Sequence, residues 1–495
     1  MIWLVLSLLL PFFTAIACLR KDSYGPWVPR LSLVGAVGQL LSGVMLLNHV
    51  LTHEYVVVHV GNWQAPFGVT LVADVLSAMM VVITGVIAVA VAIYSIGDID
   101  KSHTQKHYYS LLHLLLMGVY GSFLTGDLFN LYVWFEVMLL SSFVLITLSG
   151  TKDQLEGGVK YLLINILSSI LFLCGIGLIY GKLGTLNMAD IAQLLDGHDD
   201  SLLVNSSAML LLVAFGIKAA LFPFFFWLPA SYHTPKISIS AVFAGLLTKV
   251  GVYALIRCYT LLFYSQFDVV QNVLLFLAGM TMLTGVFGAA SHFDIKKILS
   301  FHIVSQIGYI VMGLAIGTPF AIAAALFYTV HHILVKTNLF LIAGLVEKRC
   351  GTTDLSRLGG LAKASPALSL LFFIPAFSLG GIPPLSGFWA KFGVIKAGLE
   401  TQHYYLVACA LSVGILTLYS MTKIWAEAFW KENPQPASKK RQAQLVPKTM
   451  LIPCVLLALI TIFISLNPQP LIELAQTASE QLSNPHGYMK AVIER

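Results

Sequence analysis

An all-α polytopic membrane fold with about fourteen transmembrane helices follows from three features of this 495-residue sequence. Hydrophobic residues make up 58% of the chain and charged residues 11%, where soluble domains carry about 25% charged residues. Apolar runs of about 18 or more residues, enough to cross a bilayer as a helix, recur along its whole length. Two of these runs are interrupted by prolines beside a lysine, in a placement that predicts two inverted five-helix repeats.

Taken in order, the spans are predicted at residues 2–20, 30–50, 71–96, 108–125 and 127–149, then 160–181, 204–231, 238–263, 269–291 and 297–317, and finally 319–346, 366–399, 403–430 and 448–467. No stretch between them is long enough for a soluble domain, so 1–495 reads as one transmembrane domain. Spans 1 to 3 occupy 1–107, a first repeat (spans 4 to 8) 108–263, and a second repeat (spans 9 to 13) 269–430. Residues 431–495 hold a cytoplasmic loop, the last span and an external tail. No basic residue precedes the first apolar run, while Arg20 and Lys21 follow it. That pattern predicts a retained span with its N-terminus outside, and no cleaved signal peptide.

Loop charges test the count independently. With the N-terminus outside, nineteen Lys and Arg residues fall in cytoplasmic connections and three outside, while the external loop at 182–201 carries Asp190, Asp196, Asp199 and Asp200. One missed span would scramble that split, so a multi-pass cell-membrane protein with both termini outside is expected. The net charge of +6 is a topology signal of this kind and implies no nucleic-acid partner. Cys18, Cys174, Cys258, Cys350, Cys409 and Cys454 are scattered, without the spacing of a zinc or iron–sulfur site, and read as small apolar fillers. No cofactor or metal is expected.

Charges left inside spans divide by depth. Arg257 and Lys396 lie near outer ends and can snorkel. Lys396 with Glu400 and Lys423 with Glu427 form i, i+4 pairs. Asp74 stands at the start of its span, in reach of a helix N-terminus. Glu136, Lys218, Lys249 and Lys391 lie near mid-membrane, with His331, His332 and Lys336 nearby. A charge at that depth costs roughly 2.5 to 3.5 kcal/mol on the gentlest insertion scale. Three midplane lysines cannot all be neutralised by one glutamate, so at least one must be uncharged, solvated or matched by another subunit. A row of such groups is a proton-relay candidate. Of the adjacent pair His331 and His332, one joins Lys336 on a helical face, and the other points elsewhere into the core. His113 and His302 are also intramembrane, and nothing else marks a haem.

The interruptions frame this row. In GIKAALFPFFFWLP, Lys218 precedes Pro223, which removes a backbone donor in mid-span. In GGIPPLSGFWAK, Pro383 and Pro384 precede Lys391. Non-helical backbone at membrane depth survives only where protein or a wet cavity serves it. Spans 7 and 12 run in opposite directions, five spans apart.

These residues resemble a known family, the antiporter-like membrane subunits shared by respiratory complex I and the Mrp-type multisubunit sodium/proton antiporters. The motifs that carry the resemblance span residues 108–430: Glu136 in NLYVWFEVMLLSS, Lys218 in GIKAALFPFFFWLPASYHTP, Lys249 in SAVFAGLLTKVGVYAL and Lys391 in GGIPPLSGFWAKF. The absence of a long C-terminal extension sets the chain apart from the largest subunits of both complexes. The resemblance implies a proton-translocating transporter subunit rather than an enzyme, one that works beside other membrane subunits and exchanges protons for sodium through the complex. It implies that Glu136 pairs with Lys218 and tunes its proton affinity, and that Glu136 also faces a neighbouring subunit. Lys218 would load and release the proton, Lys249 and one of His331 and His332 would carry it laterally, and Lys391 would pass it toward an exit. One departure is the apolar FPFFFWLP, where many relatives place a histidine. The nearest rival is a proton-pumping subunit of complex I or of a membrane-bound hydrogenase. A transport-free scaffold would have no use for midplane charges, and no substrate constellation supports an organic solute.

Overall fold

The structure, a computed structural model, describes residues 1–19, 25, 27–196, 202–264, 266–434 and 446–494. Arg20, Lys21, Asp199, Asp200, Lys439, Lys440, Arg441 and Arg495 lie outside the described residues. Among the described residues, eleven helices are long and apolar enough to cross a membrane. Three shorter apolar helices, Ile2–Ala17, Tyr108–Leu124 and Pro366–Gly380, fall on predicted spans 1, 4 and 12. Helix ends obey local chemistry. Thr151, Asp294 and Thr318 accept N-cap hydrogen bonds from Gln154, Lys297 and Ala321, and Gly184, Gly317 and Gly351 close the same three helices in the left-handed conformation.

Burial ranks the helices. The segment Ile237–Leu262 and the apolar middle of Pro319–Cys350 are wholly buried and Ile295–Ile316 nearly so, whereas less than half of the most apolar stretches of Leu128–Ile146, Lys152–Leu183 and Tyr404–Trp430 is buried. Spans 8 and 11, which carry Lys249, His331, His332 and Lys336, therefore form the middle of the bundle. The outer helices turn their apolar residues outward, among them Leu140, Leu163, Ile170 and Ile415, as lipid or partner helices require.

Two ends of the bundle are distinct. At one, strand β1 (Val56–His59) pairs antiparallel with β2 (Thr70–Ala73), with Val56 opposite Ala73 and His59 opposite Thr70. At the same end Leu71 bridges Thr125, Asp127 bridges Asn187, and Gln481 Oε1 accepts from Val75 N at 3.0 Å. At the other end His103 Nε2 bonds Ser149 at 2.8 Å, Gln154 donates to the Thr234 carbonyl at 3.3 Å, and Asp294 bridges Asp354.

Four expectations need correction. The third span does not begin at 71: residues 70–73 are strand, and the helix starts at Val75 with Asp74 as its N-cap. The tail beyond the last span is two helices, Gln469–Leu482 and Pro485–Ile493. Arg257 does not snorkel. It pairs with Asp74 at 2.7 Å, both buried, because the C-terminal helices cover it and Tyr488 faces the guanidinium at 5.4 Å. Lys423 does not pair with Glu427. Glu427 instead makes its i, i+4 pair with Lys431 at 2.9 Å, while Lys423 reaches across to another helix and donates to the Ala290 and His292 carbonyls at 2.7 Å each. The Lys396–Glu400 pair forms as expected, at 3.7 Å.

Candidate functional site

Lys218 occupies the last turn of the helix Leu202–Ala219, so the helix ends at the lysine rather than at Pro223. Ala220 takes the left-handed conformation, φ 62°, its N–H donating to Ile217 O and the Leu221 N–H to Gly216 O. This is a Schellman cap with alanine in the place glycine favours. A 3₁₀ turn at Phe224–Phe226 and a short helix Trp227–Ser231 resume the span, and Trp227 Nε1 donates to Ile217 O at 3.1 Å. The freed carbonyls are thus partly served from within the protein.

Span 12 breaks in the same way. Pro366–Gly380 ends on Gly381, φ 88°, whose N–H reaches Ser378 O while the Ile382 N–H reaches Phe377 O. Phe222–Pro223 and Pro383–Pro384 are both cis. The second half, Ser386–Glu400, carries Lys391, whose ammonium returns to the Gly380 carbonyl at 3.0 Å. Both lysines therefore stand at the C-terminal end of a half-helix, the electronegative end of its dipole. They reach it from opposite sides: Lys218 precedes its break, and Lys391 follows its own.

Lys249 is fully buried. The π turn Phe243–Leu247 just before it shifts the carbonyl ladder, and the Lys249 ammonium donates to Ala244 O at 2.5 Å. Lys336, also fully buried, donates to Leu299 O at 3.1 Å. His331 Nδ1 bonds Ser386 Oγ at 2.9 Å, and that hydroxyl meets Ser378 Oγ at 3.0 Å, tying span 11 to the second break. Neither ring nitrogen of His332 has a hydrogen-bond partner. His331 is thus held by a hydrogen bond in the core and lies within electrostatic reach of Lys391, whereas His332 has no such bond. It lies within electrostatic reach of Lys249, Lys336, His331 and His302.

Sequence reasoning missed His302. Buried on span 10 with both nitrogens unpartnered, it lies within electrostatic reach of Lys336 and Lys391. Its place in the row depends on packing between spans 10, 11 and 12. His113, the other histidine set aside, bonds Ser32 at 2.9 Å and Gln39 at 3.0 Å and is an ordinary satisfied core residue.

The structure thus assembles Lys249, His332, Lys336, His302 and Lys391, and leaves Lys218 beside Glu136. The expected Glu136–Lys218 ion pair is not formed. Glu136 is half-buried on the outward side of span 5 and accepts from Ser169 Oγ. Lys218 sits 5.7 Å from the ring centre of the adjacent Phe135, which packs against Phe172 and Phe215. Neighbouring helical positions point about 100° apart, so the ring that faces Lys218 turns Glu136 toward the bundle surface. Among the described residues no carboxylate lies within 4 Å of Lys218, Lys249, Lys336 or Lys391. The segment after Pro223 is apolar, as read. A crevice of about 470 Å³ at the end away from the termini reaches Phe225 and Phe226 of the first break, with Asp153, Glu156, His233 and Lys297 on its walls.

Residues 125–417 match the family described as NADH:quinone oxidoreductase/Mrp antiporter, TM. The D-type member of the Na(+)/H(+) antiporter of Alkalihalophilus pseudofirmus is 44% identical over 490 residues, covering 99% of each chain. The protein of the same name from Bacillus subtilis is 37% identical over 496 residues, again covering 99% of each. A chain in the structure of the Mrp complex from Dietzia sp. superposes with a TM-score of 0.91 at 33% identity, 99% of each chain being covered. A chain of the membrane-bound sulfane sulfur reductase, an archaeal respiratory membrane complex, gives the same TM-score at 25% identity and the same coverage. With its two capped helix breaks and its buried lysine row, the chain belongs to the family of membrane subunits common to NADH:quinone oxidoreductases and Mrp antiporters.

Proposed function

We propose that this chain is the proton-translocating subunit of a multisubunit Na+/H+ antiporter of the cell membrane, moving protons along the row Glu136, Lys218, Lys249, His332, Lys336 and Lys391, with His331 tying the row to the second break. One observation carries the reading: four buried lysines share the bundle interior with no carboxylate within 4 Å among the described residues. Such charges are costly where they stand, and a lysine in that setting gives up its proton readily. Unpartnered ring nitrogens on His302 and His332 and hydroxyls on Thr248 and Ser305 are groups of the kind that ordered water serves in protein interiors. Water reaching them completes a conducting row. Glu136, on the outward side of span 5, acts from the interface with another membrane subunit. Its approach to Lys218 favours the protonated lysine, and its withdrawal sends the proton on. Each charge crossing the membrane carries about 2.3 kcal/mol per 100 mV.

Fourteen membrane crossings with both termini outside fit the two-ended grouping of the loops, and the twin Schellman caps fit two inverted repeats over 108–263 and 269–430. Pro223, Pro383 and Pro384 mark the breaks through which the row meets water, and the crevice beneath Phe225 and Phe226 is the cytoplasmic approach to the first. Glu136 is the single midplane carboxylate of the row, too few oxygen ligands for a dedicated sodium site, so sodium crosses elsewhere in the complex. The likeness to a respiratory membrane complex favours one second reading, a proton-pumping subunit of a redox complex such as complex I or a membrane-bound hydrogenase. Co-purification with small membrane proteins rather than redox proteins decides for the antiporter. Antiport measured in everted vesicles tests the relay: Lys218→Ala and Glu136→Ala should each abolish exchange while the complex assembles, and near-normal exchange in either sinks the assignment.

A further inference from the structure

We propose that the buried Asp74–Arg257 pair is an electrostatic seal that stops protons from leaking between the relay and the end of the bundle that carries the termini. The proposal rests on the relay reading above.

Lys249, Tyr253 and Arg257 are spaced four apart on one face of the helix Thr248–Arg257, so a polar file rises about 12 Å from the relay toward that end. Its upper members, Tyr253 and Arg257, are linked through Ser77, while the Lys249 ammonium at its foot turns back to Ala244 O. Tyr253 Oη donates to the Phe123 carbonyl at 2.8 Å and meets Ser77 Oγ at 3.0 Å, and Arg257 Nη2 lies 3.2 Å from Ser77 Oγ and 3.3 Å from Tyr253 Oη. Hydroxyls in a row within a low-dielectric core are a ready path for protons. Arg257 closes the file with a group that, held by Asp74, neither releases nor accepts a proton, so no proton is handed past it.

The guanidinium is held in place from several sides. Asp74 Oδ2 meets Arg257 Nη1 at 2.7 Å, while Asp74 Oδ1 accepts from Ser77 N at 2.9 Å and so serves as the N-cap of span 3. Tyr253 and Tyr488 flank the cation at 5.5 and 5.4 Å. The tail is fastened across the site: Tyr55 packs edge-on against Tyr488, and Gln481 bonds Val75 N at 3.0 Å and the Glu54 carbonyl at 3.1 Å. Among the described residues this is the one salt bridge with both partners buried. Stability alone does not call for such a pair, since replacing one by apolar residues is often neutral.

The test uses the whole complex in liposomes loaded with a pH dye, with potassium and valinomycin setting the potential and passive proton flux scored per assembled complex. Arg257→Gln should raise the flux roughly tenfold, equivalent to about 1.4 kcal/mol of barrier. Arg257→Lys, which keeps a cation beside Asp74 but one that can release its proton, should leak less than Arg257→Gln and more than the native chain. Lys249→Met added to Arg257→Gln should return the flux to the native level, because it removes the relay end of the file. An unchanged flux in Arg257→Gln overturns the proposal, as does a raised flux that Lys249→Met leaves standing. Failure of both Arg257→Gln and Asp74→Asn to assemble overturns it as well, making the pair a structural clasp. Lys218→Ala in an otherwise native chain keeps the two readings apart: retained antiport there defeats the relay, whatever the leak measurements give.

Discussion

Gly251 lies two residues beyond Lys249, where span 8 crosses the break of span 7 with no room for a side chain. A β-carbon there would stand 2.6 Å from Ala219 N, 2.8 Å from Lys218 C and 3.1 Å from Ala219 Cα. All three are backbone atoms of the last turn that carries Lys218, anchored by the Schellman cap at Ala220, so no side-chain rotation relieves the clash. Forcing extra carbon into a packed core costs about 1 to 3 kcal/mol, and here the strain falls on the position of Lys218. Gly251→Ala should therefore lower the thermal stability of the assembled complex and depress antiport more than the loss of protein explains. Gly177 supplies the control: its β-carbon would meet nothing within 4 Å. Gly177→Ala removes a mid-helix glycine and should be neutral or stabilising by up to about 1 kcal/mol. Equal antiport per assembled complex in Gly251→Ala and the native chain would refute the claim that this crossing positions Lys218.

Lys423→Met removes two 2.7 Å bonds to the Ala290 and His292 carbonyls. Hydrogen bonds from a charged donor contribute about 1.5 to 3 kcal/mol each at most, so a measurable fall in melting temperature is expected. Glu427→Gln, which removes the Lys431 pair and leaves both Lys423 hydrogen bonds in place, should change less, and the reverse order would show that Lys423 depends chiefly on Glu427. At the end of the bundle away from the termini, burial pushes the Asp100 carboxyl up, but hydrogen bonds from His103 and the charge of Lys236 outweigh it and bring it down to about 2. A carboxyl depressed on folding stabilises above its unfolded value, near 4. The contribution of Asp100 should persist at neutral pH and fade between about pH 4 and 2. Asp100→Asn should flatten that segment of a stability-against-pH curve, and an unchanged curve would remove Asp100 from the account.

Much of the molecule was legible before any coordinates, because a bilayer leaves few choices. Apolar runs must be helices, basic loops must share a side, and prolines beside midplane lysines must mark breaks with a use. Those rules alone led to a polytopic helical fold, to helix breaks near Pro223 and near Pro383 and Pro384, and to the expectation of a row from Glu136 to Lys391. Tertiary structure decided who faces whom. Ser386 of the second break holds His331 near Lys391, while the unbonded His332 lies in reach of Lys249 and Lys336. Lys218 meets Phe135 instead of Glu136, because one residue along a helix turns a side chain by about 100°. Arg257 finds Asp74 from another span under helices that read only as a tail, and Lys423 turns to the Ala290 and His292 carbonyls of a neighbouring helix instead of Glu427. Spacing along one helix foretells depth and face. Partners across helices depend on rotation and on small changes of pitch, which the sequence of a single span does not encode.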